Sequence, residues 1–189
     1  KQAETLVRNG SFESTMIADE EGWGVSDRSF SLQSWEELDE MPESVLAGVE
    51  SICLAGDTLY DRNQYDINEE WNWDGQNNTR TLMLHHFETN SRMPITTGTM
   101  TDLSKLSRMT GLKELVICCQ PLTSLDGIEN LTKLEKVEIQ QAWDLKDIGP
   151  LQGLENLQWL TLRETGADDF NLLGKMNKLR EIRLYDNLK

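Results

Sequence analysis

The chain has little positive charge and no long hydrophobic run. Its 189 residues contain 18 Lys and Arg against 33 Asp and Glu, which gives a net charge of −15. A surface of this sign repels the phosphates of nucleic acids and of anionic lipid headgroups. No apolar run approaches the roughly 18 residues that a bilayer-spanning helix needs. We therefore expect neither nucleic-acid binding nor membrane insertion.

Cysteine is also scarce, and its three residues are Cys53, Cys118 and Cys119. Three cysteines cannot all pair, and two of these are adjacent in sequence, so no disulfide framework is expected. The chain begins at Lys1 without a Met or a basic segment followed by an apolar stretch, which indicates a processed or trimmed chain. The low cysteine content is compatible with a cytosolic protein and with a surface protein of an anaerobe, so it does not indicate the cellular location.

What the chain does contain is an internal repeat. Segments that begin at Leu112, Leu134, Leu157 and Leu179 carry apolar residues at their first, fourth and sixth positions, and the starts are 22, 23 and 22 residues apart. The alternation of the fourth and sixth positions predicts a short strand with one buried face. Ahead of each start, apolar residues recur at every third place, which favours 3₁₀ or loosely helical backbone.

These two patterns in one repeat predict an α/β leucine-rich-repeat solenoid. Short parallel strands should line its concave face, with 3₁₀, helical or loop segments on its convex face. The stretch "NLTKLEKVEIQQAWDLKDIGPLQGLENLQWLTL" resembles the bacterial internalin-like class of leucine-rich repeats, and the resemblance covers residues 103–189. It implies a non-catalytic protein-binding module without cofactors, secreted or at the cell surface, with a cytoplasmic location as the alternative.

The repeats depart from that class at one position. The family usually keeps an Asn three places after the last strand leucine, and this chain has Gln120, Ala142, Thr165 and Asn187 there. Gln and Thr side chains can bond to backbone groups in the turn, whereas Ala cannot. The buried asparagine ladder is therefore expected to be incomplete.

Two weaker strand patterns precede the regular repeats. The pairs Ile52 with Leu54 and Leu82 with Leu84 imitate the strand alternation, and the gaps from Ile52 to Leu82 and from Leu82 to Leu115 are 30 and 33 residues. Both pairs are predicted to be repeat strands, each followed by an insertion of about ten residues.

The first forty residues do not fit the repeat. The stretch "LVRNGSFES", followed by Gly22-Trp23-Gly24, resembles the opening of secreted carbohydrate-binding β-sandwiches, which are longer than the stretch available here. We expect a cap over the open end of the repeat core, as solenoids require. The predicted organisation is an N-terminal cap over 1–37, irregular repeats with insertions over 38–102, and regular repeats over 103–189.

Outward-pointing strand residues give the first candidate binding surface. Side chains alternate along a strand, so the third, fifth and seventh positions of each segment point away from the core. Trp159, Arg163, Arg183 and Tyr185 fall on two neighbouring strands, and Trp, Tyr and Arg are enriched at interface hot spots. We expect them to bind a protein, the arginines attracting an acidic loop. The alternative left open is sheet stabilisation, with the arginines paired to glutamates.

The insertion over residues 57–78 gives the second candidate surface. It places Tyr65, Trp71 and Trp73 among several carboxylates, and aromatic faces beside carboxylates can hold a sugar ring. A glycan-binding surface protein that uses this insertion or the N-terminal cap is the alternative function. The same string also suits a loop that folds its tryptophans under itself. It lacks the order of a calcium loop, so no metal site is predicted.

An enzyme would have to use His85 or His86, the two histidines of the chain. If the strand at Leu82 and Leu84 were a repeat strand, His85 would lie beside Cys118, and a Cys–His pair can form a thiolate nucleophile. No third residue to orient the pair is evident. The chain is therefore predicted not to be an enzyme.

The last repeat stops soon after Asn187, so Leu184 and Leu188 are expected to lie at an end without a polar capping unit. Either a following segment has been removed or another molecule covers that end. Self-association through the C-terminal end is the resulting expectation.

Overall fold

The computed structural model describes residues 3–7, 13–19, 22–25 and 34–187. The first three ranges are the strands β1 (Ala3–Val7), β2 (Glu13–Asp19) and β3 (Gly22–Val25), which pair antiparallel in that order. The rest of the expected N-terminal cap up to residue 33, and the side chains of these strands, lie outside the described residues. The cap therefore stays a prediction.

Two short helices lead into the repeats. A 3₁₀ helix spans Trp35–Glu40, and the α-helix α1 spans Glu43–Ala47. Leu38 and Leu46 from these helices are buried in the same core as the repeat leucines. Within the described ranges, no helix has the length and apolar character needed to cross a membrane.

Residues 51–94 form five strands. In chain order they are β4 (Ser51–Ala55), β5 (Thr58–Asp61), β6 (Tyr65–Trp73), β7 (Asn78–His86) and β8 (Arg92–Pro94). The strands β4 and β5 are paired antiparallel with each other. The last three form a separate antiparallel sheet in the order β6–β7–β8, which we call the overlay sheet.

Four regular repeats follow, each a 3₁₀ segment and then a strand. The 3₁₀ segments are Ser104–Arg108, Ile128–Asn130, Gly149–Gly153 and Asn171–Lys175. The strands are β9 (Glu114–Cys118), β10 (Lys136–Ala142), β11 (Trp159–Thr165) and β12 (Glu181–Tyr185). For β10 to β12 the 3₁₀ segment and strand occupy the positions that the two apolar spacings predict.

The parallel strands make one sheet, the repeat sheet, in the order β12–β11–β10–β9–β4, with β5 at the far edge. Lys136 lies opposite Glu114 on one side and opposite Trp159 on the other. This register confirms the spacing of 22 and 23 residues and gives the parallel-strand architecture expected of a leucine-rich repeat.

The core lies between the strands and the 3₁₀ segments. Leu134, Val137 and Ile139, the first, fourth and sixth positions of one repeat, are fully buried. Burying a side chain of this kind contributes roughly 1.5–3 kcal/mol. Ile182 and Leu184, two of the same positions in β12, are largely exposed because this strand is at the edge of the sheet.

One of the two weaker strand predictions is confirmed and the other is wrong. Ile52 lies directly opposite Leu115, so β4 is a repeat strand and is the immediate neighbour of β9. Leu82 and Leu84 belong to β7 and pair antiparallel with β6. The alternation correctly predicts that both leucines are buried on one face of a strand. It does not specify which strand pairs with this one, and the partner is β6 instead of a repeat strand.

Each repeat strand has a residue with left-handed backbone close to its C-terminal end. The φ angles are 59° at Gly56, 58° at Cys119, 55° at Gln141, 55° at Glu164 and 52° at Asp186. Non-glycine residues adopt this conformation at a cost of order 1 kcal/mol. The repetition places these residues along one rim of the repeat sheet.

The asparagine ladder is incomplete, as predicted. The Gln120 side chain accepts the backbone N–H of Met100 at 3.1 Å and donates to the carbonyl of Gly56. The Asn187 side chain accepts the N–H of Thr165 at 3.0 Å and donates to the carbonyl of Leu162 at 2.8 Å. Ala142 interrupts the ladder between these two.

Candidate interaction surface

The overlay sheet covers the N-terminal part of the face that was expected to bind a partner. This outward face of the repeat sheet carries the third, fifth and seventh strand positions. Tyr65 and Leu84 pack in one apolar cluster with Cys53, Ala55 and Val116 of that face. The outward residues Cys53, Ala55, Val116 and Cys118 are therefore buried, and they are closed to a partner as long as the overlay sheet stays in place.

Further along, the overlay sheet meets the rim of the repeat sheet. Leu82 packs with Cys118 and Cys119, and Ile67 packs against the same cluster. The sulfurs of Cys118 and Cys119 are 3.4 Å apart, and Cys119 donates to the Gln141 side chain at 3.0 Å. This contact is also apolar for the most part.

The far end of the overlay sheet is fastened to β11 by ion pairs. Arg80 donates to both carboxylate oxygens of Glu164, at 3.0 and 2.8 Å. Glu69 accepts a hydrogen bond from Arg163 and lies 4.0 Å from the Nε of Arg80. The sequence-based reasoning missed Glu69, Arg80 and Glu164 as a group, because their positions are far apart in the chain.

The course of β6 over the repeat sheet follows from these contacts. Tyr65 lies at β4, Ile67 at β9, and Glu69 at β11. Strand side chains alternate, so Trp71 and Trp73 share the inner face with Glu69. Trp71 is the cross-strand neighbour of Arg80, and the guanidinium of Arg80 binds Glu164 of β11.

The four predicted partner-binding residues lie on β11 and β12. Trp159, Arg183 and Tyr185 are exposed, and Arg163 is directly opposite Tyr185 with its guanidinium 5.8 Å from the ring centre. Each arginine already has a carboxylate partner. Arg163 pairs with Glu69 of the overlay sheet, and the Nε of Arg183 donates to Glu181 at 2.5 Å.

The three predicted glycan-binding residues are not together on one surface. Tyr65 is 2% exposed, and burial raises the pKa of its hydroxyl to about 12. Trp71 and Trp73 are 56% and 67% exposed near the tip of the β6–β7 hairpin. Tyr65 thus anchors the overlay sheet, and the two tryptophans are free to meet another molecule. The alternative in which both tryptophans fold under the loop is wrong.

The Cys–His pair considered for an enzyme is not formed. Cys118 is fully buried, and a hydrogen bond from it to Cys119, together with burial, raises the pKa of its thiol. His85 interacts instead with the side chain of Asn90 at 2.8 Å. Among the described side chains, no three His, Cys, Asp or Glu residues gather in a way that would hold a metal ion.

Comparison with known proteins returns internalins. No protein-family model and no curated protein matches the chain. The chain is similar to the solved structure of internalin C2 from Listeria monocytogenes, at 28% identity over 46% of this chain and 38% of that one, with a TM-score of 0.43. It is also similar to an internalin, InlF, from the same organism, at 30% identity over 48% of this chain and 26% of that one, with a TM-score of 0.42.

The matched structures belong to the class that the repeat pattern resembles. The matches span less than half of this chain and 38% and 26% of the two internalins. The fold assignment rests on the register and the core described above.

Proposed function

We propose that the chain is a non-catalytic module that binds a protein partner through the open part of its outward, concave face. One observation carries the proposal: the overlay sheet buries Cys53, Ala55 and Val116 on the outward face of β4 and β9, whereas Trp159, Arg183 and Tyr185 on β11 and β12 are exposed. Large aromatic residues and arginine are the side chains most enriched at binding hot spots.

The proposal is tested with two substitutions on the open strands. Once a partner has been captured and purified, we expect Trp159→Ala and Tyr185→Ala each to weaken its binding at least tenfold, as hot-spot truncations do. Trp143→Ala is the matched control, because Trp143 is an exposed tryptophan just beyond the end of β10. Unchanged affinity for both test variants, with an unchanged circular dichroism spectrum, would place the partner elsewhere.

Glycan binding at the hairpin tip is the second candidate. Trp71 and Trp73 are exposed on the same face of one strand, and sugar rings stack on such indole faces. A glycan array probed with the native chain, Trp71→Ala and Trp73→Ala tests this candidate. Binding that survives both substitutions, or an array without any bound glycan, argues against it.

Self-association through the C-terminal end is a further proposal, supported by the exposure of Ile182 and Leu184 on the edge strand β12. Light scattering over a concentration series measures it, and a constant monomer mass would contradict it. A secreted or cell-surface location, with the cytoplasm as alternative, is proposed from the internalin resemblance, and fractionation of the source cells tests it.

A further inference from the structure

Two adjacent cysteines bring their sulfur atoms into contact at the end of β9. Consecutive side chains on a strand point to opposite faces, which would keep Cys118 and Cys119 apart. Cys119 instead has left-handed backbone, with a φ of 58°. The two sulfurs are 3.4 Å apart and share a hydrogen bond. The turn after this repeat strand therefore places two thiols against each other.

The pair lies beneath the overlay sheet. Leu82 packs with both cysteines. Cys118 is fully buried, whereas Cys119 is 6% exposed and donates a hydrogen bond to the side chain of Gln141 at 3.0 Å. Cys119 is therefore the thiol that lies nearer to solvent.

We propose that Cys118 and Cys119 are a redox-active thiol pair, which low-molecular-weight disulfides such as oxidised glutathione convert reversibly into a disulfide. The contact between the two sulfurs carries the inference, because the second thiol is in place as soon as the first has reacted. The inference does not depend on the proposed binding of a protein partner.

The surroundings of the two thiols assign them different roles. A hydrogen bond from Cys118, and then the positive charge of Arg80, lower the pKa of Cys119 in spite of its burial. The hydrogen bond to Cys119, together with burial, raises the pKa of Cys118. The thiolate is the nucleophile of thiol–disulfide exchange. Cys119 is therefore the attacking thiol, and Cys118 is the thiol that resolves the intermediate.

The reaction consists of two exchange steps. The thiolate of Cys119 attacks one sulfur of the small disulfide, forms a mixed disulfide and releases one small thiolate. The sulfur of Cys118 then attacks the sulfur of Cys119, and the second small thiolate leaves. The protons of the two cysteines end on the two released thiols. The protein thus loses two electrons and two protons, and the small disulfide gains them.

Cys53, the third cysteine of the chain, is too far away to take part. It lies opposite Val116 on the neighbouring strand, two residues before Cys118. The Cα atoms of Cys53 and Cys118 are therefore about 8 Å apart, and a disulfide cannot bridge more than about 7 Å. Cys53 serves as an internal control for the pair.

A disulfide between adjacent residues is easily reduced. It joins Cα atoms that are only about 3.8 Å apart, whereas the usual separation is about 4.4 Å or more. The strain makes such a bond more reducible than an ordinary structural disulfide. We therefore expect a reversible modification that follows the redox state of the surroundings.

Oxidised glutathione added to the folded full chain tests the inference. After unfolding and alkylation of the remaining thiols, intact mass and tryptic peptides are measured. Trypsin cleaves after Lys113 and Lys133, so Cys118 and Cys119 lie in one peptide and Cys53 in another. We expect the first peptide to have lost two hydrogens and Cys53 to be alkylated. Dithiothreitol should restore all three thiols.

Substitutions separate the roles of the two thiols. Cys118→Ala should stop at a mixed disulfide with one glutathione on Cys119. Cys119→Ser keeps a donor for Gln141, and it should react at least about tenfold more slowly because only buried thiols remain. Cys53→Ala is the matched control and should be oxidised like the native chain. Circular dichroism checks that each variant is folded.

The native chain alone can overturn the inference, whatever the variants do. Three free thiols after prolonged exposure to oxidised glutathione would contradict a redox-active pair. A stable glutathione adduct on the native chain would show that Cys118 does not resolve it, and a disulfide that contains Cys53 would contradict the pairing. Reaction of Cys119→Ser at the native rate would overturn the assignment of the attacking thiol.

Discussion

Arg80 and Glu164 are 84 positions apart in the chain, yet both terminal nitrogens of the arginine donate to the two oxygens of the carboxylate. Their side chains are 8% and 16% exposed, so water screens the pair weakly. Parallel hydrogen bonds of this kind fix geometry as well as charge. Together with the pair of Glu69 and Arg163, it ties the hairpin to β11, the fourth strand of the repeat sheet counted from β4.

Removal of that arginine should be costly. We expect Arg80→Ala to lower the free energy of unfolding by about 3 kcal/mol, because Glu164 is left as a largely buried, unpaired charge. Urea denaturation measures the change. Arg92→Ala is the control: Arg92 pairs with Glu70 on the exposed surface, and such pairs contribute about 1 kcal/mol or less. Equal losses in the two variants would contradict the structural role of Arg80.

The two ends of the overlay sheet are held differently, and this predicts how it opens. The end near β4 is apolar, with Tyr65 and Leu84 in the cluster. The end near β11 is held by the ion pairs of Arg80 with Glu164 and of Glu69 with Arg163. Water can replace hydrogen bonds to charged groups but not apolar contacts, so we expect the sheet to separate from its tip first.

Alkylation of the cysteines checks this order. Cys119 packs with Leu82 nearer the tip, whereas Cys53 packs with Tyr65 and Leu84. We expect iodoacetamide to label Cys119 at least tenfold faster than Cys53 in native buffer, as measured by peptide mass spectrometry. Arg80→Ala should increase the ratio of the two rates. Identical rates would mean that both thiols become accessible only on global unfolding.

The pH dependence of labelling has a defined sign. The hydrogen bond from Cys118, and then the positive charge of Arg80, lower the pKa of Cys119, while burial raises the pKa of Cys53. Since the thiolate is the reactive form, labelling of Cys119 should level off below the ordinary thiol pKa. Labelling of Cys53 should still increase with pH there. A common profile for both thiols would contradict these shifts.

Gln120 should be the most sensitive polar residue of the repeats. It is 2% exposed, and its amide satisfies the N–H of Met100 and the carbonyl of Gly56. Gln120→Ala leaves both backbone groups unpaired, and we expect a loss of about 3 kcal/mol. Gln152→Ala, at an exposed 3₁₀ position, should change stability by less than about 0.5 kcal/mol. Thermal or urea unfolding of the two variants compares them.

Gly127 should not tolerate a side chain. Its φ is 101°, and a Cβ atom there would lie 2.5 Å from the carbonyl oxygen of Leu103 in the preceding repeat. We expect Gly127→Ala to cost about 3 kcal/mol through backbone strain and overlap. Gly153→Ala is the matched control, because no atom lies within 4 Å of its added Cβ. It should leave stability unchanged or raise it by about 0.5 kcal/mol.

The regular repeats could be predicted because their information is local. The buried face of each strand can be recognised from its apolar positions, as in Leu134, Val137 and Ile139. The constant spacing of 22 or 23 residues between repeats predicts which strands are neighbours. Parallel strands in register need nothing more than this repetition. The exposed position of Trp159 followed from the same alternation, whereas Arg183 and Tyr185 lie on an edge strand whose residues are all exposed.

The overlay sheet could not be predicted in the same way. Leu82 and Leu84 alternate like a repeat strand, and alternation does not identify the sheet that receives them. One local signal was present: Asp74-Gly75 separates two alternating runs, and an Asp-Gly pair in this place is typical of a hairpin. Gly75 indeed has a φ of 97° in the turn. The pairing of Arg80 with Glu164 has no local signature at all.

Because β6 crosses the repeat strands, the length of the β6–β7 hairpin and the number of repeat strands beneath it depend on each other. The nine residues of β6 set the length of the hairpin, and the pair of Arg80 with Glu164 requires that length to match the distance across the repeat sheet to β11. A repeat inserted between β9 and β11 would move Glu164 about 4.8 Å further from β4 and separate it from Arg80. A repeat added after β12 would not change the position of Glu164, so repeats can be added beside β12 without loss of this ion pair.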